Sequence, residues 1–127
     1  MAGPLYDGFV PGRHPIDAYG NGGFRFAEMS HKGSILALPS GISKWDVAGA
    51  SALDEEAFRP VLAEAEDIEI LLIGTGRNIV PLPEPLLWRL RDPGMRLDVM
   101  QTGAAARTFN ILLAENRRVA AALIAVA

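Results

Sequence analysis

The chain has no cysteine among its 127 residues. Disulfides, thiolate nucleophiles and thiolate ligation of zinc or iron–sulfur clusters are excluded with it. Histidine is scarce as well: His14 sits among prolines and glycines, and His31 in an expected turn. Neither has a second ligand at helical or strand spacing, so we expect no metal and no cofactor. Long hydrophobic runs are missing. The longest, Val119–Ala127, is far below the ~20 residues of a membrane helix. An excess of positive charge is missing too. Twelve Lys and Arg face fifteen Asp and Glu, a net charge of −3, which argues against a general nucleic-acid binder. The start, MAGPLYDGFVPG, has neither the basic beginning nor the apolar run of a secretory signal. The expectation is a cytoplasmic protein, bacterial in style because no transit peptide precedes the domain.

What remains is ordinary for one folded domain. Half the residues are hydrophobic and 21% charged, enough apolar matter for a sizeable core at this length. Residues 1–15 carry Pro4, Gly8, Pro11, Gly12 and Pro15 without periodicity. They read as an irregular lead-in to a single domain over 16–127.

Ile16–Tyr19 reads as a short strand. Asn21-Gly22-Gly23 is a turn, and Phe24-Arg25-Phe26 resumes the alternation, so a hairpin follows. Tyr19, Phe24 and Phe26 share one face and Arg25 takes the other. His31-Lys32-Gly33 reads as a further turn. Ser34–Leu38 is a strand stopped by Pro39-Ser40-Gly41, and Ile42–Val47 alternates again. This first part is a β-meander. Ser51–Asp67 has helical composition, but Pro60 is hostile to a helix interior, so the regular helix starts late, near Phe58. Ile68–Ile73 is a near-continuous apolar strand. Glu84–Arg91 is a short helix, Met95–Met100 alternates as a strand, and Val119–Val126 fits a strand buried on both faces. The order is an N-terminal β-meander followed by β-α-β-α-β. That is an α/β class fold: one compact layered domain with a mixed central sheet.

The densest polar set lies in Met100–Val119. Ala105, Phe109, Leu112 and Leu113 follow helical spacing and give this segment a buried face. Thr102 is placed to cap the helix start and Asn116 to end it in a left-handed conformation. Thr102, Arg107, Thr108, Asn110 and Glu115 are candidates for a site; the plainer alternative pairs Glu115 with Arg118 on the surface and bonds Thr108 back to a carbonyl. A second candidate is the loop Gly74, Thr75, Gly76, Arg77 and Asn78, which follows an apolar strand. If both strands point one way, the two loops share a rim at the carboxyl ends, where α/β sheets hold ligands. Backbone N–H groups at Gly74 and Gly76, the positive helix end and the two arginines Arg77 and Arg107 would suit a small anion. The dinucleotide fingerprint fails, since Ile79 stands where its third glycine belongs. No nucleophile elbow is present, and nothing else marks a catalytic residue. Trp45 and Trp88 would anchor a partner if exposed.

The segment MQTGAAARTFNILLAENRRVAAALI, with Gly74-Thr75-Gly76 and the run Ile16–Trp45, resembles the MTH-type domain family of unknown function. That family includes the mitochondrial assembly factor of respiratory complex I. Gln101 stands where the family pattern has an acid, Phe109 where tyrosine is frequent and Asn116 where glycine is frequent. The resemblance implies a layered α/β fold with one antiparallel strand among the last three. It also implies a non-catalytic binding or assembly module with a protein partner, such as a respiratory-complex subunit, held near Gly74–Asn78, Thr102 and Asn110. The rival reading is a protein or enzyme acting on an anionic metabolite, with Glu115 as its acid or base. A homodimer is a third arrangement.

Overall fold

A computed structural model describes residues 8–127. Among them are strands β1 (Phe9–Pro11), β2 (Ala18–Gly20), β3 (Gly23–Phe26), β4 (Met29–Lys32), β5 (Ser34–Leu38), β6 (Gly41–Trp45), β7 (Ile70–Gly74), β8 (Arg96–Met100) and β9 (Val119–Leu123), with helices α1 (Arg59–Ala63), α2 (Glu84–Arg91) and α3 (Thr102–Ala114). A six-stranded sheet runs in the order β1-β6-β5-β9-β7-β8, and a three-stranded sheet in the order β2-β3-β4.

Alternation along the buried strands sorts their side chains into two cores. Leu36, Leu38, Leu71, Ile73, Ala120 and Ala122 face one side, where they meet Trp45, Phe58, Val61, Leu86 and Leu90. Ile35, Ala37, Leu72, Val119, Ala121 and Leu123 face the other, where Ala105, Ala106 and Phe109 of α3 join Phe24 and Phe26 of the small sheet. The large sheet is therefore covered on both faces, which is why β5, β7 and β9 read as near-continuous apolar runs. β9, the alanine-rich strand, is central, between antiparallel β5 and parallel β7.

The expected α/β layers and mixed sheet are present, with several differences in detail. The β-meander is split: β2–β4 form their own sheet, while β5 and β6 join the large one. Ile16 lies before the first hairpin strand, not in it. His31 and Lys32 belong to β4, and the preceding turn is at Ala27-Glu28, whose φ angles of 49° and 63° are left-handed. Alanine and glutamate carry no turn signature, so the sequence hid it. Part of the lead-in is ordered, with Phe9–Pro11 pairing antiparallel to β6; residues 1–7 lie outside the described residues. The last three strands contain no antiparallel member, because β7 is parallel to both β8 and β9. Each is reached by a helical crossover that returns the chain to the same end of the sheet.

Pro60 is accommodated as expected. α1 begins only at Arg59, after a 3-10 turn, so the proline falls in the first helical turn, where its missing N–H costs little. α2 has the expected bounds. Its partner α3 lies on the opposite face. From β7 to β8 the chain steps one strand outward with α2 on one face; from β8 to β9 it steps back across β7 with α3 on the other. Reversing direction and changing face together is what crossovers of one hand produce.

Candidate functional site

The chain leaves β7 and β8 at neighbouring carboxyl ends and diverges to opposite faces of the sheet, the position at which open α/β sheets form a ligand crevice. Here the crevice is stitched shut. The Thr75 N–H donates to Met100 O at 2.9 Å, and Thr102 N–H donates to Gly76 O at 2.9 Å. The Gly76 N–H donates to Thr102 Oγ1 at 2.9 Å, and that hydroxyl donates to Ile124 O at 2.7 Å. Thr102 is fully buried. It is the first helical residue of α3, with Gln101 at the cap position and no side-chain cap bond. The expected capping role is replaced by one that ties three strand ends together.

The glycines serve this closure. A Cβ on Gly74 would stand 2.8 Å from Thr102 Cα, and Gly76 has φ of 106°. The Gly76 N–H is directed into the stitch rather than toward an anion, and the Gly74 carbonyl accepts from the Ile124 N–H at 2.9 Å. Thr75 is likewise occupied: its hydroxyl donates to Asn78 O at 2.6 Å and accepts from Val80 N at 3.0 Å, so it shapes its own loop. Asn110 is spent elsewhere. Its Nδ2 donates to Ile16 O and its Oδ1 accepts from Ile16 N–H, both at 2.8 Å, so the amide fixes the chain entering the small sheet.

Arg77 and Arg107 are different. Both are exposed, and neither side chain makes a hydrogen bond or ion pair with a described residue. They border an open hollow of about 260 Å³ with Tyr19, Gly76, Gln101 and Gly103. Tyr19 is half-exposed and its hydroxyl lies directly against Gly103, where any side chain would displace it. The positive end of α3 opens here. Of the candidates, the structure thus brings Gly76, Arg77 and Arg107 to one place. Thr75 and Thr102 lie beneath it in structural bonds. Asn78 is exposed on the loop. The Thr108 hydroxyl, half-buried, has no bond to a described residue. Glu115 is exposed just past the last helical residue Ala114, ~20 Å along the helix from Thr102. It is far from the hollow, and its expected partner Arg118 donates instead to Glu66 O.

Sequence reasoning missed Tyr19 and Gln101 as members of this rim. Tyr19 comes from a hairpin 84 positions before Gly103, and no spacing rule connects them. Trp45 is buried, its indole N–H donating to Ala57 O at 2.8 Å, whereas Trp88 is 68% exposed. Among the described residues no three His, Cys, Asp or Glu side chains gather into a metal-holding group. Nor is any helix there long and apolar enough to cross a membrane.

Residues 16–124 match the family model described as protein of unknown function (DUF498/DUF598). The chain belongs to this family. It is 33% identical over 109 residues to NADH dehydrogenase (ubiquinone) 1 alpha subcomplex assembly factor 3 of Mus musculus, a match that covers 86% of this chain but 59% of that protein. The chain therefore spans about three-fifths of that relative's length. Its fold is shared with a crystal structure described as an outer membrane protein from Bartonella henselae, at TM-score 0.88 and 56% identity over 92% of this chain and 98% of that one. A Bordetella pertussis protein described as an Mth938-like domain matches at TM-score 0.74 and 28% identity, over 87% and 85% of the two chains. This DUF498/DUF598 member thus has the Mth938-like fold and kinship with the complex I assembly factors that its sequence resembles.

Proposed function

We propose that this protein is a non-catalytic binding module that holds a partner protein during assembly of a larger complex, with respiratory-complex subunits as the partner class. The observation that carries the reading is the contrast at the rim. Thr75, Thr102 and Asn110 are consumed by structural bonds, while Arg77 and Arg107 stay uncompensated by any described residue around a shallow open hollow. A recognition surface needs exposed, unpaired groups of this kind; a reaction site needs converging acid, base or nucleophile. The arginine pair suits a carboxylate-bearing segment, since a guanidinium grips carboxylates through two parallel bonds. Exposed Ile79 and Val80 follow Arg77 in the same loop and supply apolar contact. Kinship with a complex I assembly factor supports the choice of partner. A cytoplasmic location belongs to the same reading, in keeping with a cysteine-free chain.

The test combines genetics with retention. Deleting the gene lowers assembled complex I without changing subunit transcripts. Immobilised wild type retains a respiratory-complex subunit from extract that the Arg77→Ala, Arg107→Ala double variant loses. Normal complex levels in the deletion strain, with identical retention by both proteins, overturn the reading.

A second reading rests on the hollow itself: two arginines, the Tyr19 hydroxyl and the positive end of α3 can hold a small anion. Glu115 does not serve it as acid or base from the far end of α3. Thermal-shift titration with phosphate and with small carboxylates separates the two readings, since only a small-anion site gives a saturable rise in Tm that the double variant loses.

A further inference from the structure

The two edges of the large sheet are unlike. β1 is three residues long and ends in Pro11, which are the usual protections of a free edge. β8 is five residues long, without proline, and is the last strand on the other side. Its inward bonds belong to alternate residues. Arg96 N–H donates to Glu69 O, and Met100 O accepts from Thr75 N–H. The backbone groups of Leu97 and Val99 therefore point outward, and they have no partner among the described residues.

We propose that this edge pairs with a second copy of the chain, β8 antiparallel to β8 about a two-fold axis at Leu97. The register follows from charge. Arg96 and Asp98 are exposed and flank Leu97. Centred on Leu97, the pairing sets Arg96 opposite Asp98 of the second copy, and Asp98 opposite its Arg96. Centred on Asp98, it sets two aspartates face to face; centred on Arg96, two arginines. Opposite charges across a strand pair stabilise it, and like charges directly opposite oppose it. Of these three registers, only the Leu97-centred one is self-complementary.

Hydrogen bonding is satisfied in this register. Residues opposite each other in an antiparallel ladder alternate between pairs that exchange both backbone bonds and pairs that exchange none. With outward amides at Leu97 and Val99, Leu97 bonds Leu97 of the second copy, and Val99 bonds its Met95. Arg96 and Asp98 then fall at the non-bonded pairs, where side chains stand closest. The two-fold axis is perpendicular to the sheet, so each face continues across the seam. The two α2 helices, each packed on β8 and each carrying the exposed Trp88, lie on the same side of it. The result is one continuous twelve-stranded sheet with an isologous interface.

The experiment is sedimentation equilibrium of the wild type and three variants, with circular dichroism as a check on folding. The wild type is expected to dimerise. Asp98→Arg places Arg96 against arginine twice per dimer and weakens association by about tenfold or more. The double exchange Arg96→Asp with Asp98→Arg restores it, because the opposition of charges is regained with the order swapped. Leu97→Pro removes the outward N–H donor and gives a folded monomer. A wild type that stays monomeric overturns the proposal and leaves the edge to an extended strand of another protein. A dimer indifferent to Asp98→Arg, or a double exchange that fails to recover, overturns it as well.

Discussion

Gly76 and Thr102 are bonded to each other twice. The Gly76 N–H donates to Thr102 Oγ1, and the Thr102 N–H donates to Gly76 O, each at 2.9 Å. The Thr102 hydroxyl in turn donates to Ile124 O. One buried side chain thereby joins the ends of β7, β8 and β9 and turns what would be a ligand crevice into a floor. Thr102→Val keeps the shape and removes the hydroxyl. Two buried backbone groups lose their partner, at about 1–3 kcal/mol each, so the variant is expected to lose about 2–4 kcal/mol in urea unfolding. Thr102→Ser keeps both bonds and falls close to wild type. A loss in the serine variant with none in the valine variant would mean that the methyl packing, not the stitch, matters here.

Gly74 tests the same floor from the other side. A Cβ there would meet Thr102 Cα at 2.8 Å and its Oγ1 at 3.0 Å. The nearer atom is backbone and cannot swing away. Gly74→Ala is expected to cost about 1–3 kcal/mol through overpacking, even though alanine normally suits a strand end better than glycine. A variant as stable as wild type would show that α3 slides away from β7 without penalty.

Much of this architecture was legible, for identifiable reasons. β7 and β9 announced burial on both faces by unbroken apolar runs, and Leu86, Leu90, Ala105 and Phe109 announced helices by their spacing. Pro60 correctly delayed α1 because a backbone rule governs it. Other features had no local signature. The Ala27-Glu28 turn uses residues that seldom adopt φ of 49° and 63°; the pairing of β3 with β4 and the packing of Ala27 against the core accompany it. The candidate polar residues were read as ligand groups because spacing reports which side chains share an element. It does not report that Thr102 finds partners 22 and 26 positions away, or Asn110 one 94 positions away. Arg77 and Arg107 lie on one rim because β7 and β8 are parallel, a condition on which the sequence left that arrangement to depend.

Asn110 reaches across those 94 positions as a clamp, giving and taking one bond with the backbone of Ile16. Asn110→Ala removes both bonds. The expected cost is about 1–3 kcal/mol, since the Ile16 groups are left partly buried without partners. Amide hydrogen exchange reads it locally, with Ile16 losing protection while Leu72 and Ala121 keep theirs. Asn110→Asp retains only the acceptor and is expected to hold the Ile16 N–H but not its carbonyl. Unchanged exchange at Ile16 in the alanine variant would remove the clamp from the account.

Arg77 and Arg107 are exposed, and their side chains have no partner among the described residues. The Arg77→Ala, Arg107→Ala double variant is expected to match wild-type stability within about 0.5 kcal/mol, as surface substitutions away from caps and networks do. Partner retention should nevertheless fall, and fall more steeply with salt in the wild type than in the variant, because exposed charge pairs are screened over about 8 Å at physiological ionic strength. Measuring melting and retention on the same preparations separates the outcomes. A variant that binds normally moves the recognition surface away from the hollow. A variant that unfolds early shows that the two guanidiniums serve the fold after all.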